Sequence, residues 1–185
     1  MASPITELNV FSLIQLSSGP LNELWNYEVV EIFFLASKNE DMYLEVEFGP
    51  HGQHLGLLLK GKRNILIHSF PIKYEAEIGM YLPIHGLLEF KFLHEIIWIL
   101  HLDETAKEWK GKAFIPNEYF PPNVDQFNAY AIHGLGDKRK FKSLFPFDPN
   151  LDLDFHRLEF FKSLDLTIDQ GTISSFWQEA LDKNA

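Results

Sequence analysis

The chain has no cysteine among its 185 residues. That excludes a disulfide scaffold, a thiolate-ligated zinc or iron–sulfur site and a cysteine nucleophile, and it fits a reducing compartment. Long apolar runs are also missing. The nearest approach is Ile84 to Leu102, which Glu89, Lys91 and Glu95 interrupt, so no segment is expected to span a bilayer. Met1 to Pro20 has no basic start, only the short apolar stretch Val10 to Leu16 and an early Glu7. It is therefore not read as a targeting signal, and a soluble cytoplasmic or nuclear protein is expected. Positive charge is scarce too: 16 Lys and Arg stand against 26 Asp and Glu, a formal net charge of −10. A general nucleic-acid binder needs a basic face. The one compact basic run, Lys138-Arg139-Lys140-Phe141-Lys142, reads as a solvated loop. No Gly-x-Ser-x-Gly elbow, phosphate loop or dinucleotide fingerprint is present.

What the chain does have is apolar residues (46%), aromatics (17 Phe, 6 Tyr, 4 Trp) and strand signals. A length of this order suits one domain. Val29 to Leu35 is β-branched and aromatic, as a strand buried along most of its length would be. Tyr43 to Phe48 alternates, with Leu44, Val46 and Phe48 on one face and Tyr43, Glu45 and Glu47 on the other. Gly49-Pro50-His51-Gly52 is a turn by composition, and Leu55 to Lys60 reads as the returning strand. Asn64 to Ile67, Gly111 to Pro116, Phe127 to His133 and Leu158 to Leu166 are further strand expectations. Asn117 to Phe120 reads as one helical turn, and a helix starts at Ser175 as N-cap with Gln178 in the capping-box position. Leu87 to Ile99 has neither clean period, and its length favours a helix. Many short strands separated by Gly and Pro turns point to a mainly β fold, a sandwich or an open barrel, with short helices in the insert and at the C-terminus.

Trp25 to Phe34 is the most informative stretch. Trp25 and Glu31 are six apart, so an uninterrupted strand would set them on one face. An aromatic platform beside a carboxylate is how proteins hold sugars. The competing reading is a rim Trp and a solvated Glu. Glu28, Glu31, Glu45 and Glu47 also supply the residue type a glycosidase needs, two carboxyls about 5 Å apart or wider, although carboxylates on a solvated sheet face are commoner. Of the eight histidines, His51, His133 and His156 fall in the blocks quoted below. They are read as turn caps or backbone partners rather than as a metal set.

Asn22-Glu23-Leu24-Trp25, Glu31-Ile32-Phe33-Phe34, Tyr43-Leu44-Glu45-Val46-Glu47, Pro50-His51-Gly52-Gln53-His54-Leu55, Trp109-Lys110-Gly111-Lys112-Ala113, Tyr119 to Val124, Ala131-Ile132-His133-Gly134 and Asp154-Phe155-His156 resemble, in order, an uncharacterised animal family typified by the human chromosome 4 open reading frame thirty-three protein. The Trp25 to Phe34 segment, the alternating strand and the Pro-x-Gly turn also resemble family 9 carbohydrate-binding modules and DOMON-like sandwiches. The resemblance implies a two-sheet antiparallel sandwich with a ligand cleft on one side, no catalytic residues, and no cofactor beyond the structural calcium some of those modules carry. The dense oxygen spacing of a dedicated calcium loop is absent here. Trp25 would stack on a saccharide and Glu31 would accept its hydroxyl hydrogens, with Tyr27, Tyr43 and His156 on the rim. A second Trp clamp cannot be placed. Trp109 reads as core. The alternatives are a protein-interaction module that uses the acidic face and aromatic surface, or a hydrolase built on the Glu cluster. Two departures from the family pattern divide the chain into an atypical segment 1–21 and a sandwich domain 22–185 with an insertion at about 79–103. Alternative splicing or a gene-model error would account for both.

Overall fold

The structure is a computed structural model that describes residues 18–37, 40–80, 88–92, 96–102, 107–134, 136–146, 148, 150–164 and 172–185. Its larger sheet is built around the two segments with the strongest strand chemistry. Strand β2 (Val29–Ala36) and β3 (Met42–Phe48) pair antiparallel, and β4 (Gln53–Lys60) returns along β3 through the Gly49–Gly52 turn. Beyond them lie β1 (Gly19–Pro20), parallel to β4, and β10 (Val124–His133), antiparallel to β2. Strand β11 (Lys140–Ser143) extends β10 antiparallel, giving the order β1-β4-β3-β2-β10-β11. Two short strands, β5 (Ile65–His68) and β12 (Lys162–Ser163), add to β4 and β10. The smaller sheet runs β6-β9-β8-β7, from β6 (Lys73–Met80), β9 (Lys107–Phe114), β8 (Ile96–Leu102) and β7 (Leu88–Phe92), all antiparallel.

Strand alternation divides the large sheet's side chains between two cores. Val30, Ile32 and Phe34 of β2, Leu44, Val46 and Phe48 of β3, and Ala129 and Ala131 of β10 point one way. They share a core with Trp109 and Ala113 of β9, with Phe70 and Ile72, and with Trp177 and Ala180 of the C-terminal helix α1 (Ser175–Lys183). Side chains from both sheets thus share this core, and the fold is mainly β, as expected. The other face of the large sheet carries Val29, Phe33, Leu35, Tyr43, Leu55, Leu57, Leu59, Tyr130 and Ile132, packed with Leu24 and Phe161. Because both faces are covered, every residue of β2 and β3 is buried. Gly56 is where the first core comes closest to the backbone. A Cβ there would meet the Phe70 ring at 2.5 Å.

Three expectations need correction. Residues 88–92 and 96–102 are strands, not a helix near the insert. Leu88-Glu89-Phe90-Lys91-Phe92 alternates with period two, and Ile96 to Leu102 is rich in β-branched and aromatic residues. Both find ladder partners, and those preferences outweigh an argument from length. Leu158 to Leu166 is not one strand. Residues 158–160 form a 3₁₀ turn, only Lys162–Ser163 pairs with β10, and residues 165 and 166 lie outside the described part. Helix α1 is capped one residue earlier than expected: the Ser174 Oγ accepts the Trp177 N–H at 3.2 Å. The helical turn at Asn117–Tyr119 is present as read. Among the described residues no helix is long and apolar enough to cross a membrane.

Candidate ligand pocket on the outer sheet face

The second face of the large sheet carries more than apolar side chains. Register sets Glu31 of β2 directly opposite Glu47 of β3, and Glu45 opposite Leu57 of β4. Residues so paired have Cβ atoms about 5 Å apart, so Glu31, Glu45 and Glu47 form one acidic patch. Alternation alone would call it a solvated face. It is buried instead: Glu31 and Glu45 are 3% exposed and Glu47 is fully covered. Two remote segments cover it. The 3₁₀ turn Leu24–Asn26 lies over one end, and the stretch around Phe155, Leu158 and Phe161 lies over the other.

Between these covers the face opens into a pocket of about 290 Å³. Glu31, Glu45, Leu57, Leu59 and Ile132 line its sheet side, and Trp25, Arg63, Arg139, Phe141, Asp154, Phe155 and His156 line its walls. Several contacts hold the walls. Phe155 stacks on Tyr130 with ring centroids 4.0 Å apart and planes 6° from parallel. Arg139 donates to the Trp25 carbonyl, which fixes the backbone beneath the indole, and its guanidinium lies 5.4 Å from the Phe141 ring centre. Arg63 sits in the β4–β5 turn with φ 61°. Its Nη2 donates to Asp154 Oδ1 at 2.8 Å, and Lys62 Nζ lies 2.5 Å from the other Asp154 oxygen. The His156 N–H also donates to Asp154, at 3.0 Å. The Tyr43 hydroxyl accepts the Arg63 N–H at 3.1 Å and lies 2.8 Å from His156 Nδ1.

These surroundings shift the acid constants of the groups they enclose. Burial pushes Glu31 up to about 8, against a smaller opposing pull from Arg139 and Arg63. Glu45 and Glu47 are raised well above the ordinary carboxyl range, first by burial and then by their carboxyl neighbours. Burial, helped by the nearby Arg63, lowers His156 to about 4. Burial also raises the Tyr43 hydroxyl. The Tyr43 hydroxyl and His156 Nδ1 share one hydrogen bond, its direction set by the imidazole tautomer, and Nε2 is left without a hydrogen-bond partner in reach among the described residues. That nitrogen is 4.0 Å from Glu45 Oε2. At Asp154 burial acts upward, but hydrogen bonds from Lys62, the His156 N–H and Arg63 outweigh it and hold the carboxyl near 2. The polar atoms on the sheet side have no such partners. Glu31 Oε1, Glu45 Oε2 and both Glu47 oxygens are buried without a hydrogen bond.

The sequence-derived site residues are distributed as follows. Trp25, Glu31 and His156 line the pocket, and Tyr43 reaches it through His156. Tyr27 packs against the outer core and is not among the lining residues. Trp25 does not share a strand with Glu31, because it lies in the 3₁₀ turn and β2 begins at Val29. The two meet in the pocket because the turn folds over the sheet. Glu28 leaves the carboxyl group: its Oε2 lies 2.6 Å from His133 Nδ1, and its Oε1 accepts the Trp109 indole N–H. Trp109 is buried, as read. His133 and His156 have different partners, and among the described residues no three His, Asp or Glu side chains form a metal-ligand set. Arg63, Arg139, Phe141, Asp154 and Phe155 were not picked out as site residues. Arg139 and Phe141 were hidden in the basic run read as a solvated loop. Asp154 and Phe155 precede His156 directly in sequence, and no local signal marks them as pocket residues.

Comparison with known proteins gives relatives but no activity. Over 150 residues the chain is 45% identical to human UPF0462 protein C4orf33, covering 78% of this chain and 61% of that protein. It is 43% identical over 149 residues to the mouse C4orf33 homologue, covering 77% and 63%. To the zebrafish homologue it is 41% identical over 158 residues, covering 82% and 66%. The chain therefore spans somewhat under two thirds of the length of these homologues. No family model and no solved structure matches it.

Proposed function

We propose that this homologue of the UPF0462 proteins binds a small polyhydroxylated ligand of the saccharide class, without catalysis, in the pocket over the outer face of the large sheet. One observation carries the reading: two almost wholly buried carboxyls, Glu31 and Glu45, line the pocket, and each keeps one buried oxygen without a hydrogen-bond partner among the described residues. A buried polar atom without a partner costs about 1–3 kcal/mol. A ligand hydroxyl, both donor and acceptor, meets it whether the carboxyl is protonated or not. The walls supply the other half of a sugar site, since Trp25, Phe141 and Phe155 offer rings for C–H faces. The volume lies near the lower end of small-molecule sites, roughly 300–1,000 Å³, which suits one or two rings rather than an oligosaccharide.

The same features speak against hydrolysis. A glycosidase needs an ionised carboxylate opposite its acid, and here burial raises all three carboxyls together while Glu28 is engaged elsewhere. The test is calorimetric titration of the chain with a panel of mono- and disaccharides. One sugar class should bind, and Trp25→Ala and Glu31→Gln should each weaken it while the unfolding transition stays cooperative. If no sugar of any class binds the folded chain, the reading fails, and an interaction module becomes the better account of the acidic, aromatic surface.

A further inference from the structure

We propose that the pocket selects a saccharide carrying an oxyanion, a carboxylate or a phosphate ester, and that Arg63 and Arg139 recognise that charge. This rests on the saccharide reading above and narrows its ligand. It follows from a count of charge around the pocket. On one wall Arg63 shares the single carboxylate of Asp154 with Lys62, which is bound to the same carboxylate but does not line the pocket, so that cluster carries an excess positive charge. On another wall Arg139 donates to a backbone carbonyl and lies over the Phe141 ring. Among the described residues no carboxylate forms an ion pair with it, and its Nε is buried without a partner.

The sheet carboxyls do not cancel this surplus. Burial holds Glu31 and Glu45 towards their neutral forms, and a neutral carboxyl offers the ligand an O–H donor. The pocket therefore presents two guanidinium groups beside the Glu31 and Glu45 carboxyls and an imidazole whose Nδ1 is already used. A chain with a net charge of −10 here places two arginines in the walls of one pocket. A guanidinium fork matches the two oxygens of a carboxylate or phosphate in a way that a neutral hydroxyl cannot use. The arginines come from separate elements, the β4–β5 turn and the approach to β11, so both walls can reach one ligand.

The experiment is isothermal titration of the full chain at low salt and near-neutral pH with four probes: glucose, glucuronate, glucose 6-phosphate and inorganic phosphate. At least one charged sugar should bind about tenfold to a hundredfold more tightly than glucose, the ratio one charge-assisted contact supplies. That preference should shrink as salt is raised. Which charged sugar wins decides between carboxylate and phosphate, and inorganic phosphate should bind more weakly than the preferred sugar. Arg139→Gln should lower the ratio of charged-sugar to glucose affinity. If Arg139→Gln does not fold, the salt dependence and the charged-to-neutral ratio of the unmodified chain decide alone. Glucose binding as tightly as both charged sugars overturns this proposal and leaves the saccharide reading standing. Binding of inorganic phosphate as tight as that of either sugar also overturns it, by showing an anion site indifferent to the ring. No binding of any sugar overturns both.

Discussion

Glu31 offers the sharpest test of how the sheet face is built. Its carboxyl is buried in the folded chain and solvated in the unfolded one, so the folded state holds its proton to higher pH. The acid constant moves from an ordinary 4.5 to about 8. Below pH 4.5 both states are protonated and folding gains nothing from the difference. Between 4.5 and about 8 the unfolded chain has lost the proton that the folded chain keeps, so stability falls as pH rises. At about 1.4 kcal/mol for each tenfold change in acid constant, the loss across that window reaches about 5 kcal/mol if the folded chain does not relax. That is a large share of the roughly 5–15 kcal/mol of a typical domain. Glu31→Gln keeps the shape and removes the titration. Urea unfolding of both proteins near pH 5 and near pH 9 isolates the effect. His156 weakens the fold as pH drops below 6.5, because burial favours its neutral form, but it is present in both proteins and cancels in the difference. Glu45 and Glu47 leave the variant with a residual slope of the same sign. The variant should lose much less stability between the two pH values than the parent, and near pH 9 it should be the more stable protein. Equal slopes would refute the claim that this carboxyl is desolvated, and with it the picture of a covered sheet face.

Four further outcomes follow from the packing. Gly56→Ala should destabilise by about 1–3 kcal/mol, read from the denaturant midpoint, because its Cβ would meet the Phe70 ring at 2.5 Å. Ser174→Ala should cost about 1 kcal/mol for the lost cap, with loss of the Oγ hydrogen bond to the Glu118 carbonyl at 2.7 Å adding to it. Trp177→Ala should cost about 3–5 kcal/mol, since the indole is fully buried and donates to the Tyr119 carbonyl at 2.9 Å. In a proton–nitrogen correlation spectrum His156 should stay neutral through pH 5 and begin to charge only near 4, and a midpoint near the ordinary 6.5 would show that its surroundings are wet.

The parts of this molecule that were legible in sequence are those whose signal is local. The β2–β3–β4 meander follows from a β-branched run, a clean alternation and a Gly-Pro-rich turn, each readable within ten residues. The helical turn at Asn117 and the C-terminal helix were legible for the same reason, and the helix start missed by one residue because Ser174 and Ser175 offer the same hydroxyl to the cap. Strand β6 carries no local strand signal, and the length of 87–99 favours a helix where β7 and β8 form, because strand identity there depends on partners. Lys73 to Met80 mixes Glu, Ala and Gly with Tyr and Ile, and it becomes a strand beside β9.

The site was half legible for a related reason. Alternation placed Glu45 and Glu47 on one face correctly, but it cannot say what lies on that face. Exposure at a strand position is decided by whatever the rest of the chain lays across it, here the turn at Trp25 and a stretch more than a hundred residues later around Phe155. The same contact turns commonplace surface acids into buried carboxyls with unpartnered oxygens, and a nondescript basic run into a pocket wall. It also explains why Trp25 and Glu31 meet although the six-residue spacing that paired them does not describe their geometry. The Trp25 turn is held down by Arg139 and by its own Leu24, which is buried in the outer core, so its position is set by tertiary contacts. A carboxyl that pays for burial without a partner is hard to explain by folding alone, and that cost is the physical reason to look for a ligand at this face rather than on the other side of the sheet.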